Sequence, residues 1–351
     1  MIMRVLLIFL TVLSSMLLAA REKSDVLIMK NGDRLTCEIK SLSSGVLYVS
    51  LDYILGTSSL EWSKVAHVES KQLFIVKTED GSVYTGTLGT AETGAGRPVE
   101  IQVHESLEEV KNLRLPQVVS VGQTSERFWQ RFNGSINSGI IFSKANLNTQ
   151  YSLGADTEYV RERWSAGAAV NSTLSDSTGT TTATRNDLTF NAQRLLSWNN
   201  YFCEGLANFL QSSEQGIELQ SSLGGGIGRY LKNSNTARIQ VLGGLAWQRT
   251  KYEQHAQPQA TQNVAAALVA VKAELFRFNK TNLSLAGIAF PALNDPGRVF
   301  LKANATYYVK VFGDLSWNFS FYGNWDNQPP PSFSGSDYGT SSGLSWTFGS
   351  R

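Results

Sequence analysis

Cysteine is nearly absent: among 351 residues there are only Cys37 and Cys203. One falls in a small N-terminal region and the other in a long repetitive stretch, so a disulfide between them is not expected, and two small apolar residues are the plainer reading. Histidine is scarce too. His67, His104 and His255 stand alone, with no Cys/His cluster at zinc spacing and no serine or cysteine placed as a nucleophile. Charge of one sign is missing as well. The net charge is +2 and charged residues make up 17%, which excludes a polyanion binder, and no nucleic-acid partner is expected. After the N-terminus no run reaches the roughly 18 apolar residues that a membrane helix requires. The mean hydropathy is slightly negative, too low for a bundle of such helices. Proline occurs 8 times against 30 glycines, 8 tryptophans, 12 tyrosines and 17 phenylalanines. That balance suits strands, turns and aromatic girdles at a membrane interface.

What is present is alternation. In residues 299–312, Val299, Leu301, Ala303, Ala305, Tyr307, Val309 and Val311 fall on one face of a strand. Phe300, Lys302, Asn304, Thr306, Tyr308 and Lys310 fall on the other. A tight Gly313-Asp314 turn follows. The pattern then restarts with Leu315, Trp317, Phe319, Phe321 and Trp325 against Ser316, Asn318, Ser320, Tyr322, Asn324 and Asp326. Such strands run to about 12 residues or more, whereas globular strands have about 5–6. A membrane-crossing strand needs about 9–11 tilted residues, apolar to lipid and polar to the lumen. Segments of this kind recur from residue 128, about twelve in all, an even number as single-chain outer-membrane barrels have. Short connections (161–163, 197–199, 232–235, 279–281) alternate with others that are often longer (175–181, 253–263, 326–337). That is the rim asymmetry of periplasmic turns and outer loops.

Taken in order, residues 1–20 are a signal peptide: Arg4, an apolar core over residues 5–18, and a small-residue exit at Ala19-Ala20. Residues 21–115 form a small β-domain with an internal echo, in which Gly32 and Gly81 each centre a hairpin turn. The domain is SH3-like or Sm-like and is expected in the periplasm. Residues 116–127 are a connector, and residues 128–351 the barrel. The fold class is therefore all-β, a transmembrane antiparallel barrel of about 12 strands preceded by a small β-domain.

Parity aims Asp156, Glu158, Arg185, Asp187, Lys272, Glu274, Lys302, Lys310 and Asp326 into the lumen. Mixed signs suit either a lumen filled or nearly filled by pairing side chains, the reading preferred for about twelve strands, or a thin wet pore; no one-sign ring of an anion-selective channel is seen. The Glu105, Glu108, Glu109 cluster is a solvated face. His255 reads as an exposed loop residue rather than part of a hydrolase triad, and Asn324-Trp325-Asp326-Asn327 is too poor in carboxylates for calcium. No catalytic, cofactor-binding or metal site is expected, and the chain does not read as an enzyme.

The chain resembles the salt-induced outer-membrane proteins. The resemblance is carried by the long barrel from Arg127 to Phe348, by Asn133-Gly134-Ser135 in its first strand, and by the closing Gly343-Leu344-Ser345-Trp346-Thr347-Phe348. It implies an outer-membrane location and a role in salt or osmotic stress, and it assigns no site residue. The closing segment also resembles the C-terminal signal read by the barrel assembly machinery, although Gly349-Ser350-Arg351 follow it. The expected partners are outer-membrane lipid, that machinery, and a periplasmic or cell-wall partner of the N-terminal domain. The expected function is a non-enzymatic envelope-structural or stress role, and the alternative is a narrow diffusion channel for small solutes.

Overall fold

Two all-β bodies follow one another in the computed structural model, which describes residues 23–91, 98–106, 109–124, 132–143, 148–177, 183–197, 199–253, 261–277, 281–312, 315–329 and 334–348. Residues 1–20, expected to be a signal peptide, Glu108 of the acidic cluster, the Gly313-Asp314 turn and His255 lie outside the described residues.

The first body holds β1 (Asp25–Met29), β2 (Arg34–Ser43), β3 (Val46–Ser50), β4 (Thr57–Glu61), β5 (Val65–Thr78), β6 (Val83–Thr90), β7 (Glu100–His104), β8 (Val110–Arg114) and β9 (Val118–Gln123). Short 3-10 turns at Trp62–Lys64 and Leu115–Gln117 precede β5 and β9. β5 serves twice. Its first half pairs with β1, setting Leu27 opposite Val68, and its second half pairs with β9, setting Val76 opposite Val121. Each half of the domain thus runs through hairpins, makes a 3-10 turn, and brings a fifth strand back to its first.

The repetition reaches individual hydrogen bonds. Gly32 N–H donates to Met29 O as Gly81 N–H does to Thr78 O, and Lys30 N–H donates to Lys64 O as Glu79 N–H does to Gln117 O. A single core of Leu27, Ile39, Phe74, Ile101 and Val121 joins the halves, each such side chain contributing roughly 1.5–3 kcal/mol on burial. Trp62 Nε1 donates to Leu115 O at 2.9 Å and ties one 3-10 turn to the other.

The structure differs from the sequence reading at residues 116–123. Pro116 and Gly122 suggest a connector, but Val118, Val119 and Val121 are buried, and β9 pairs with both β5 and β2. The apolar spacing outweighs the turn-forming residues.

The second body is a closed barrel of β10 (Phe132–Ser143), β11 (Asn148–Val160), β12 (Trp164–Ser177), β13 (Ala183–Leu195), β14 (Tyr201–Ser212), β15 (Ile217–Asn233), β16 (Ala237–Tyr252), β17 (Thr261–Arg277), β18 (Thr281–Pro291), β19 (Val299–Phe312), β20 (Leu315–Asp326) and β21 (Ser336–Phe348). Every strand is antiparallel to its neighbours, and β21 returns to β10, so no edge is left unpaired. Closure brings together the two segments that carry the family resemblance: Gly134 faces Phe348, Ile136 faces Trp346, and Gly139 faces Gly343. A Cβ at Gly343 would run into the Ser138 carbonyl, so the seam demands glycine there.

Alternation sets the two surfaces. Leu301, Tyr307, Trp317, Phe319, Trp325 and Trp346 stand exposed on the outside, while Lys302, Asn304, Thr306 and Tyr308 line the inside. A strand of 14 residues such as β19 extends about 46 Å and, tilted by about 40°, rises roughly 35 Å, enough for a 25 Å apolar band. The barrel is of the transmembrane, outer-membrane type.

The N-terminal body sits over one mouth of this barrel. Asn200, in the β13–β14 turn, donates to Glu79 O at 2.7 Å, and Asn235, in the β15–β16 turn, donates to Val118 O at 2.9 Å. Across the rim, Lys310 Nζ donates to Ser59 Oγ at 2.9 Å. Asn199 and Asn200 both hold positive φ, a conformation asparagine tolerates better than most residues, and this aims the turn at the domain.

Candidate functional site in the barrel lumen

Inward side chains meet across the lumen. Arg185 on β13 donates through Nη1 to Asp337 Oδ2 at 2.6 Å, although β21 lies four places away round the ring. Its Nη2 lies 3.8 Å from Asp187 Oδ2, and the guanidinium rests 4.8 Å from the centre of the Tyr322 ring. Asn324, with its amide oxygen turned to the guanidinium, accepts from the same arginine. Ser212 Oγ also donates to Asp337, at 3.1 Å.

A second chord starts at Lys302 on β19. Its Nζ donates to Asn208 Oδ1 on β14 at 2.6 Å, five places round the ring. Asn208 Nδ2 in turn donates to Asp187 Oδ1 at 3.1 Å and to Thr189 Oγ1 at 2.9 Å. The two chords are thus joined through Asp187 into one network.

Towards the mouth away from the N-terminal domain lies Arg298. It is 3% exposed and grips Asp326 with two bonds, Nε to Oδ1 at 3.2 Å and Nη2 to Oδ2 at 2.8 Å. Nη2 also donates to Tyr252 OH, and the Phe300 ring lies 4.6 Å from the guanidinium. A forked pair of this kind is rigid and specific in geometry.

Among the described residues two cavities of several hundred Å³ stand out. One, of about 430 Å³, lies in the lumen beside the Arg185 and Lys302 chords. The other, of about 390 Å³, lies where the N-terminal domain meets the barrel, and Lys77 of β5 enters it from the domain side. Burial is the main reason that the Lys77 ammonium titrates below the ordinary lysine range. Glu158 opposes that shift and Arg238 adds to it. On the barrel side Glu274 lies 2.9 Å from Lys272 and 3.7 Å from Arg238.

The inward residues named from parity fall into these groups. Asp156, Arg185, Asp187 and Lys302 line the first cavity, and Glu158, Lys272 and Glu274 line the second. Asp326 pairs with Arg298, and Lys310 bridges to the domain. Sequence reasoning missed Arg298 and Asp337. Arg298 stands two residues before Phe300 on the same face, so parity reaches it. Asp337 falls one residue before the strand as read from the sequence. Among the described residues no group of three His, Cys, Asp or Glu could hold a metal ion.

Among solved structures the chain is similar to the translocator domain of the autotransporter NalP from Neisseria meningitidis, with 14% identity over 62% of this chain and 86% of that one and a TM-score of 0.34. It is similar to the β domain of the Bordetella autotransporter Brka, with 10% identity, 62% and 98% coverage and a TM-score of 0.30. It is also similar to the outer membrane protease OmpT of Escherichia coli, with 11% identity, 62% and 96% coverage and a TM-score of 0.23. Nothing about substrate or chemistry passes from these structures to this chain. No protein with a curated description matches it in sequence. The family described as "Protein of unknown function, DUF481" matches residues 136–348, from the seam residue Ile136 to the end of the last strand, and the chain belongs to that family.

Proposed function

We propose that this chain is a non-enzymatic outer-membrane barrel with an envelope-structural role under salt or osmotic stress, its lumen closed at rest and its N-terminal domain an interaction module in the periplasm. The observation that carries this reading is the network that runs from Asp337 through Arg185, Asp187 and Asn208 to Lys302. It crosses the lumen with side chains that bond to one another and narrows it to a cavity of about 430 Å³, closer to small plugged barrels than to open porins. The even strand number returns both ends of the barrel to one side, and the domain over that mouth belongs on the periplasmic side with the short turns. Its two five-strand units offer a surface to a periplasmic or cell-wall partner, and the seam strand β21 is the segment for the assembly machinery to engage.

A second reading, a narrow diffusion channel for small solutes, is favoured by the two cavities. The envelope role is tested in cells lacking the protein. On a shift to high salt they are expected to leak a periplasmic reporter enzyme, and the chain supplied in trans restores retention. Unchanged leakage and growth after the shift would contradict the role.

A further inference from the structure

We infer that the 430 Å³ lumen cavity is a binding site for a small monocarboxylate with an aromatic or cyclic apolar body. The inference is independent of the envelope role. In a water-filled pore the inward positions of every strand are polar. Here one arc of the wall is not. Leu206 of β14, Ala246 of β16, Leu268 of β17 and Ile288 and Phe290 of β18 all line the cavity, and Ala246, Leu268 and Phe290 are buried in one apolar cluster. The opposite arc is polar, with Asn137, Asn171, Asn318 and Ser320. Ions alone gain nothing from such a two-sided chamber, whereas a solute with an apolar body and a polar head matches both arcs.

The head is specified by Lys302, which lines the cavity beside the apolar arc. An ammonium has three donors. One goes to Asn208, a neutral amide already committed to Asp187 and Thr189. Among the described residues no carboxylate lies within ion-pair distance of Lys302, while the neighbouring Arg185 has Asp337 and Asp187. Asp156, on the far wall four strands round, accepts from Ser135. The cation left for an incoming carboxylate is therefore Lys302, with donors to spare and an apolar surface alongside for the rest of the molecule. The cavity volume falls in the range of about 300–1,000 Å³ typical of small-molecule sites.

The test uses the full chain refolded in zwitterionic detergent at pH 6.5, with 4-fluorobenzoate as probe and its fluorine line width as readout against empty micelles. The line is expected to broaden. Benzoate should reverse the broadening, whereas acetate (head only) and benzyl alcohol (body only) should do so at least about tenfold less effectively. Lys302→Gln is expected to weaken binding about tenfold or more. Leu268→Asn should weaken benzoate by a similar factor without changing acetate. Heat-modifiable migration on gels reports folding of each variant, and if Lys302→Gln does not fold, Leu268→Asn and the two half-ligands decide. Absence of broadening, equal competition by acetate or by benzyl alcohol, or unchanged binding in the folded variants would overturn the assignment.

Discussion

Arg185 and Asp337 stand on strands four places apart in the barrel wall, yet their side chains meet across the lumen at 2.6 Å, Nη1 to Oδ2. Both are largely shielded, with side-chain exposures of 13% and 6%. Removing one partner of a buried pair leaves the other uncompensated and costs roughly 3–5 kcal/mol in a dry interior. Beside a cavity able to hold water the cost is lower. Asp337→Leu alone is expected to destabilise the barrel by on the order of 2 kcal/mol in urea unfolding followed by tryptophan fluorescence. The double variant Arg185→Met/Asp337→Leu should recover only part of that loss, because Asp187 then loses the guanidinium 3.8 Å away.

The seam gives a sharper outcome. A side chain at position 343 collides with the Ser138 carbonyl across the β21–β10 junction. Gly343→Val is therefore expected to prevent closure. The variant should lose heat-modifiable migration on gels, while Ser342→Val, one residue away, keeps it.

Docking of the N-terminal domain rests on the Asn200 and Asn235 amides, the Lys310 ammonium and the turn at Gly81. Gly81 has φ +88°, and a Cβ there would lie 2.9 Å from Asn200 Oδ1. Gly81→Ala combines a left-handed backbone penalty of about 1 kcal/mol with that contact. Together with Asn235→Ala, which removes the bond to Val118 O, it is expected to speed hydrogen exchange in residues 78–82 and 115–121. The β10–β21 seam should exchange as in the unaltered chain.

Cys37 is buried with no exposed surface, and burial, helped by Asp25 and Glu38, pushes its thiol up to about 12. The sign follows directly. A pKa raised in the folded state means that the fold prefers the protonated thiol. That contribution is complete below the unfolded value near 8.5 and is lost as pH rises towards 12. Maleimide at pH 8 is expected to leave Cys37 unmodified in the folded chain and to label it in urea. Unfolding of the N-terminal domain should become easier between about pH 8.5 and 12.

The barrel was legible because its rule is strict. Period-two alternation over strands of 11 to 17 residues is hard to produce in any other fold, and parity alone places Lys302, Asp187 and Asp326 inside. The lumen network was not legible. Arg185 and Asp337 are separated by 152 residues and meet only because the ring closes, a relationship that no local pattern carries. The same holds for β9. Val118, Val119 and Val121 look like the exit from a domain until the second half of β5 is seen to need a closing strand. The apolar arc was hidden for a different reason. Leu268 and Ile288 obey the alternation as well as any lumen residue, but their chemistry is that of the outer face.

Single-channel recording in a planar bilayer tests the closed lumen most directly. The full chain should insert and stay silent, and Arg185→Ala/Lys302→Ala, which cuts both chords, should show ion-conducting openings. Steady, ion-selective conductance from the unaltered chain would contradict the account.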